Sequence, residues 1–256
     1  KYVQDATSNV KYGTVYYSKD NGVNWTTEKP SFVNAGEYTV LVKQEITVGG
    51  KKTELKASAV VTINKRTVTL TSADDSKPYD GNALTNSKVT VGGDGFAEDE
   101  GATYDVTGSQ TDVGTSKNTF SYTLKKGVNP DNYTITKKEG TLEVTPVTAK
   151  VVVTITGNTG GEKYNGSEQT VSGYKVSIDN KLYKEAYFKF KGTAEVKGTN
   201  AGTYEMGLKA SDFENVSKNF TNVEFKVEDG SLTIDKRNVT LTSADDSKPY
   251  DGNALT

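Results

Sequence analysis

The sequence has no cysteine and no histidine, and a single methionine and a single tryptophan among its 256 residues. Without the first two, Ser-His-Asp and Cys-His nucleophile systems are excluded, and zinc or copper sites lose the ligands they normally need. Only carboxylate, lysine or tyrosine chemistry, or oxygen ligation of a hard cation, is left. Hydrophobic residues make up 33% of the chain, too few for one large core but suited to several small β modules whose strands each wet one face. No apolar run approaches the roughly 18 residues that cross a bilayer, so no membrane insertion is expected of this segment. The net charge is −2, with Lys and Arg scattered among Asp and Glu. There is no basic stripe to attract nucleic acid and no basic amphipathic helix to lie on a membrane.

Tyrosine (15 residues) and glycine (25) are plentiful. Apolar residues alternate over short runs, which is the strand period. Tyr38, Val40 and Val42 share one face, as do Phe120, Tyr122 and Leu124, then Tyr204, Met206 and Leu208, then Val151, Val153 and Ile155. Val68 and Leu70 alternate with Thr67, Thr69 and Thr71. Turn signals such as KDNG at 19–22, DG at 80–81 and GGDG at 92–95 separate these runs. The stretch 181–192, KLYKEAYFKFKG, is rich in Tyr and Phe and is expected to be strand rather than helix.

Internal repetition is the strongest signal. Residues 66–85 (RTVTLTSADDSKPYDGNALT) recur as residues 237–256 with one difference, Thr67 against Asn238. The period, 237 minus 66, is 171 residues, and it divides in two. KPYDG at 77–81 has a degenerate counterpart, EKYNG, at 162–166, and GTLEVTP at 140–146 has GSLTIDK at 230–236. The expected organisation is a module at 1–65 lacking its opening strand, modules at 66–146 and 147–236, and the opening strand of a further repeat at 237–256. Lys65-Arg66, Pro146-Val147 and Lys236-Arg237 join the modules without a Gly/Ser spacer, which favours a stiff, elongated array.

The order Tyr79-Asp80-Gly81, VTVGGDGF, Asn132-Tyr133 and Gly140-Thr141-Leu142 resembles bacterial YDG-type and MBG-type tandem surface repeats, found in adhesin-like proteins of Gram-positive bacteria. The resemblance covers residues 66–146. It is looser over 147–236, where Asn165 replaces the motif's Asp, and residues 1–65 resemble a companion type through VYYSKDNGVNWT and NAGEYTV. It implies an extracellular, cell-wall location and small Ig-like β-sandwich domains, with β-grasp-like modules as the alternative. It also implies a spacer or adhesion role, with no catalysis and no cofactor.

Each candidate site has two readings. Tyr79-Asp80-Gly81 and its copy Tyr250-Asp251-Gly252 form either a ligand loop or a tight turn with the tyrosine packed beneath, and repetition favours architecture. Asp74, Asp75, Asp94, Glu98, Asp99, Glu100 and Asp105 offer oxygen ligands, but their spacing matches no calcium loop. Trp25 with Tyr16 and Tyr17 is either a sugar-stacking surface or a core plug. No Lys–Asn pair for an isopeptide crosslink can be named. Val239 and Leu241 of the final segment either open another repeat or add as a strand to the first module of another chain. The expected role is a stalk spacer of a surface adhesin, with a glycan- or host-protein-binding module as the alternative. The expected partners are neighbouring repeats of the same or another chain.

Overall fold

A computed structural model describes residues 13–256, and its regular secondary structure is almost entirely strand. Residues 1–12 of the first expected module lie outside the described residues. Among the described residues, helix is confined to three 3-10 turns, Pro130–Asn132, Glu185–Tyr187 and Ala210–Asp212. The contacts divide the chain into two compact units. One runs to Lys77 and takes in Asn82–Thr145; the other combines Pro78–Gly81 with Pro146–Thr256.

The first unit begins with an antiparallel sheet in the order Thr14–Ser18, Gly36–Val48, Lys51–Ile63. The two long strands pair from Gly36↔Ile63 to Val48↔Lys51. They turn at Gly49-Gly50, both at positive φ, as a two-residue hairpin requires. Lys51–Ile63 is an edge strand whose side chains are mostly exposed, with Lys51, Lys52 and Lys56 along it. Edge lysines discourage further pairing.

The rest of this unit is built around Arg66–Ser72. That strand lies between Val89–Gly93, antiparallel, and Tyr133–Lys138, parallel. A second sheet places Gly140–Thr145 between Asp75–Pro78 and Gly114–Asn118. Alternation sends Val68 and Leu70 inward, where they meet Phe120 and Tyr133 with Val89, Tyr104 and Ile135 around them. Of the expected face Phe120, Tyr122 and Leu124, only Phe120 is deeply buried; Tyr122, further along the same strand and paired with Ala102–Val106, is 36% exposed. A buried polar latch joins the sheets. Ser72 Oγ donates to Asn118 O at 2.6 Å and accepts from Gly140 N at 2.9 Å. Asn118 Nδ2 donates to Ala73 O and Asn86 O, both at 2.9 Å. A Cβ on Gly140 would stand 2.5 Å from Ser72 O, so this close approach excludes any side chain there.

The second unit repeats the wiring. Val151–Gly157 lies between Tyr174–Ile178, antiparallel, and Val223–Glu228, parallel. Ser231–Asp235 lies between Thr159–Lys163 and Gly202–Glu205. Val151, Val153 and Ile155 are fully buried, as period-2 alternation requires. Val196, Met206, Leu208, Leu232 and Ile234 form a core that Tyr174, Phe190 and Val227 also join, so strands of several sheets share one interior. The chain is all-β, in several small sheets.

Two expectations need correction. Residues 181–192 are not one strand: they hold the 3-10 turn Glu185–Tyr187 and then the three-residue strand Phe188–Phe190. The turn brings Tyr183 and Tyr187 onto one ring cluster, which an extended run would not do. Residues 237–256, expected to open with a strand, form none. Their twin, Arg66–Ser72, is a strand because two neighbours supply its hydrogen bonds, and 237–256 has no such neighbours among the described residues.

Candidate functional site

Asp80-Gly81 makes the turn that the dipeptide predicts, with Gly81 at φ +81°, where a side chain is strained. The turn presents Tyr79, which is 7% exposed and belongs to the unit of residues 146–256. Its ring meets Phe220 edge to face at 5.6 Å between centroids, and its hydroxyl lies 3.2 Å from that of Tyr187. Phe220, 1% exposed, is the hub: Tyr183 stands 5.1 Å away and Tyr187 6.0 Å away. Tyr183 donates from its hydroxyl to Asn215 Oδ1 at 2.9 Å, and Asn215 Nδ2 donates to Phe220 O at 2.9 Å. Burial pushes the Tyr183 phenol up to about 12, so it stays a neutral donor. The strand-like contact Val147↔Phe220, with Val147 N donating to Asn219 O at 2.9 Å, fixes the hub next to Pro146.

The copy Tyr250-Asp251-Gly252 keeps the turn and loses the packing. Gly252 has φ +77°, and Asn253 N donates to Asp251 Oδ1 at 3.0 Å. Tyr250 is nevertheless 99% exposed, and Val239 and Leu241 are 77% and 93% exposed against 1% and 0% for Val68 and Leu70.

The aromatic group of the first unit sits on the turn after Thr14–Ser18. Asp20 closes that turn: it accepts from Asn24 N at 2.8 Å, from Ser18 Oγ at 2.7 Å and from Asn24 Nδ2 at 2.6 Å. These bonds, that of the Asn24 amide foremost, hold its carboxyl down to about 2. Trp25 donates its indole N–H to Gly22 O at 3.0 Å and is half-buried. Lys43 Nζ lies over both Trp25 and Tyr16, at 5.0 and 5.3 Å. Tyr17 is buried and paired with Thr26 through the backbone. Tyr17 and Trp25 line a cleft of about 370 Å³ rimmed by Lys19, Asp20, Asn24 and Glu28. An aromatic wall beneath charged and amide groups suits a polar ligand that offers both hydroxyls and an apolar face.

The acidic residues of 74–105 do not converge, and no group of three or more carboxylates among the described residues is placed to hold a metal ion. Asp94 accepts from Thr67 N and Oγ, both at 2.8 Å, which lowers its pKa. Glu100 accepts from the Tyr133 hydroxyl, Asp74 from Thr141 N at 2.7 Å and Asp75 from Asn86 Nδ2 at 3.0 Å.

Sequence reasoning missed Tyr183, Tyr187, Asn215 and Phe220. The one available signal was the aromatic excess of 181–190, which marks a ring cluster without saying which rings meet.

Compared with known families, residues 151–236 match the MBG domain. The match supports an MBG-type repeat module over that third of the chain. No curated protein matches the chain.

Proposed function

We propose that this segment is a structural spacer in the stalk of a cell-surface, adhesin-like protein of a Gram-positive bacterium, outside the cell, and that it performs no catalysis. The observation that carries this reading is the placement of Tyr79. A residue of the 66–85 repeat is packed into the compact unit of residues 146–256, against a hub beside the Pro146-Val147 junction. The Pro146-Val147 join itself has no flexible spacer. The 171-residue recurrence and the MBG-type module support serial construction. Rigid serial modules set reach, and polar outward faces keep the array soluble. Small-angle scattering tests the reading. An elongated, stiff particle is expected; a compact globule refutes it.

A second reading, binding of a glycan or a host protein, is favoured by the cleft at Tyr17 and Trp25. Trp25 is the single tryptophan, so its emission reports occupancy directly. Quenching by an added glycan, lost in Trp25→Ala, supports binding; unchanged emission across a glycan panel removes it.

A further inference from the structure

Residues 66–85 and 237–256 are a natural control, being one sequence, Thr67 against Asn238 apart, in two environments. In the first, Val68, Leu70 and Tyr79 are 1%, 0% and 7% exposed; in the second, Val239, Leu241 and Tyr250 are 77%, 93% and 99% exposed. The local turn is the same in both, with Gly81 at φ +81° and Gly252 at φ +77°. What differs is supplied from outside the segment. The strand needs an antiparallel and a parallel neighbour, and the tyrosine needs a socket. That socket has Phe220, itself packed by Tyr183, at its floor and the Tyr187 hydroxyl at its rim to meet the incoming phenol. Gly81 carries the turn through its positive φ, with Leu182 Cδ2 at ordinary contact distance from where a Cβ would stand.

We infer that Tyr250-Asp251-Gly252 is a docking plug, and that its partner is a module with the aromatic socket of residues 146–236. The plug is one tyrosine carried on a preformed Asp-Gly turn. The recognition is edge-to-face ring packing plus a phenol–phenol hydrogen bond, beside a Tyr183 hydroxyl and a Phe220 carbonyl that Asn215 already satisfies. The socket of this chain is filled by Tyr79, so Tyr250 requires a second such module. The inference rests on the serial-module reading for its biological sense. A compact scattering particle removes that reading and leaves the ring–socket contact standing, so the two fail separately.

The test supplies the second module. The full chain is extended after Thr256 by a copy of residues 86–236, which restores the register of the first repeat. Hydroxyl-radical footprinting with mass spectrometry then reads Tyr250. Asn238 in place of Thr67 gives the two otherwise identical tryptic peptides different masses. The expected result is an oxidation rate at Tyr250 about fourteenfold lower than in the unextended chain, the ratio of 99% to 7% exposure. Amide exchange in the same peptide should slow in parallel as 237–243 joins a sheet. Placing the Phe220→Ala change in the appended module should return Tyr250 to fast oxidation while the strand amides stay protected. Should that variant not fold, the Tyr187→Phe change in the appended module is read instead, and a rise in Tyr250 oxidation is expected there too. Protected strand amides with Tyr250 still oxidised at its original rate overturn the proposal, as does a segment that stays unprotected throughout.

Discussion

Tyr79→Ala and Tyr250→Ala delete the same ring from the same ten residues, SKPYDGNALT, and the structure assigns them opposite outcomes. For Tyr79 the loss has three parts. Burial of a large side chain contributes roughly 1.5–3 kcal/mol. An edge-to-face pair adds about 0.5–1.5 kcal/mol, and a hydroxyl hydrogen bond about 0.5–1.5 kcal/mol. The parts sum to about 2.5–6 kcal/mol, which brackets the roughly 3–5 kcal/mol measured for aromatic truncations in cores. All of it falls on the unit of residues 146–256, because the partners Phe220 and Tyr187 are there. For a module of under 100 residues, 3 kcal/mol lowers Tm by about 12 °C or more. Tyr250→Ala should stay within about 0.5 kcal/mol of wild type, as exposed substitutions do. The assay is built in. Trp25 lies in the first unit, so its emission follows that unit, while amide exchange of peptides from 147–236 follows the second. Tyr79→Ala should leave the Trp25 transition in place and melt the 147–236 peptides early. Equal effects of the two substitutions, or a shift confined to Trp25, would refute the reasoning.

Three more outcomes follow from the geometry. Asn118→Ala removes a fully buried side chain and leaves the half-buried Ala73 O and Asn86 O without its amide, so residues 66–145 should lose about 1–3 kcal/mol, read by amide exchange. Asp20 has its carboxyl held down to about 2 in the folded chain against an ordinary 3.8, so its contribution is complete above about pH 4 and is lost as pH falls toward 2. Trp25 emission should change across that window, and Asp20→Asn should flatten the change. Gly81→Ala forces a side chain into left-handed backbone and should cost the second unit about 1–2 kcal/mol, whereas Gly252→Ala meets the same backbone strain in an exposed segment that packs on neither core and should leave both melting transitions where they are.

What was legible in the sequence was local. The Asp-Gly turns form wherever they occur, buried or exposed, because Gly at positive φ and the Asx hydrogen bond need nothing beyond four residues. Alternation placed Val68, Leu70, Val151, Val153 and Ile155 inside for the same reason. Strand formation at 66–72 was also read, but residues 237–243, which differ only in Asn238 for Thr67, form no strand, so it is conditional on neighbours, which no window of sequence contains. The parallel partnership of Arg66–Ser72 with Tyr133–Lys138 joins residues about 67 apart and left no trace in the pattern. Tyr79 and Phe220 are 141 positions apart, so their meeting could not be read from either segment. At 181–192 the tyrosines were read for their strand preference, although their destination on the Phe220 hub required a 3-10 turn. The acidic run of 94–105 looked like a cluster only because charge is visible in sequence and hydrogen-bond partners are not.

The two parallel pairings have a mechanical consequence. In the first repeat the chain enters at Arg66 and leaves after Thr145, and Arg66–Ser72 lies parallel to Tyr133–Lys138 over six register pairs. In the second, Val151–Gly157 lies parallel to Val223–Glu228, again over six. Tension along the chain therefore drags the first strand of each pair backward and the second forward, along their common axis. The backbone bonds between them are strained together in shear and yield as a group, whereas an antiparallel hairpin pulled from its open end would peel one rung at a time.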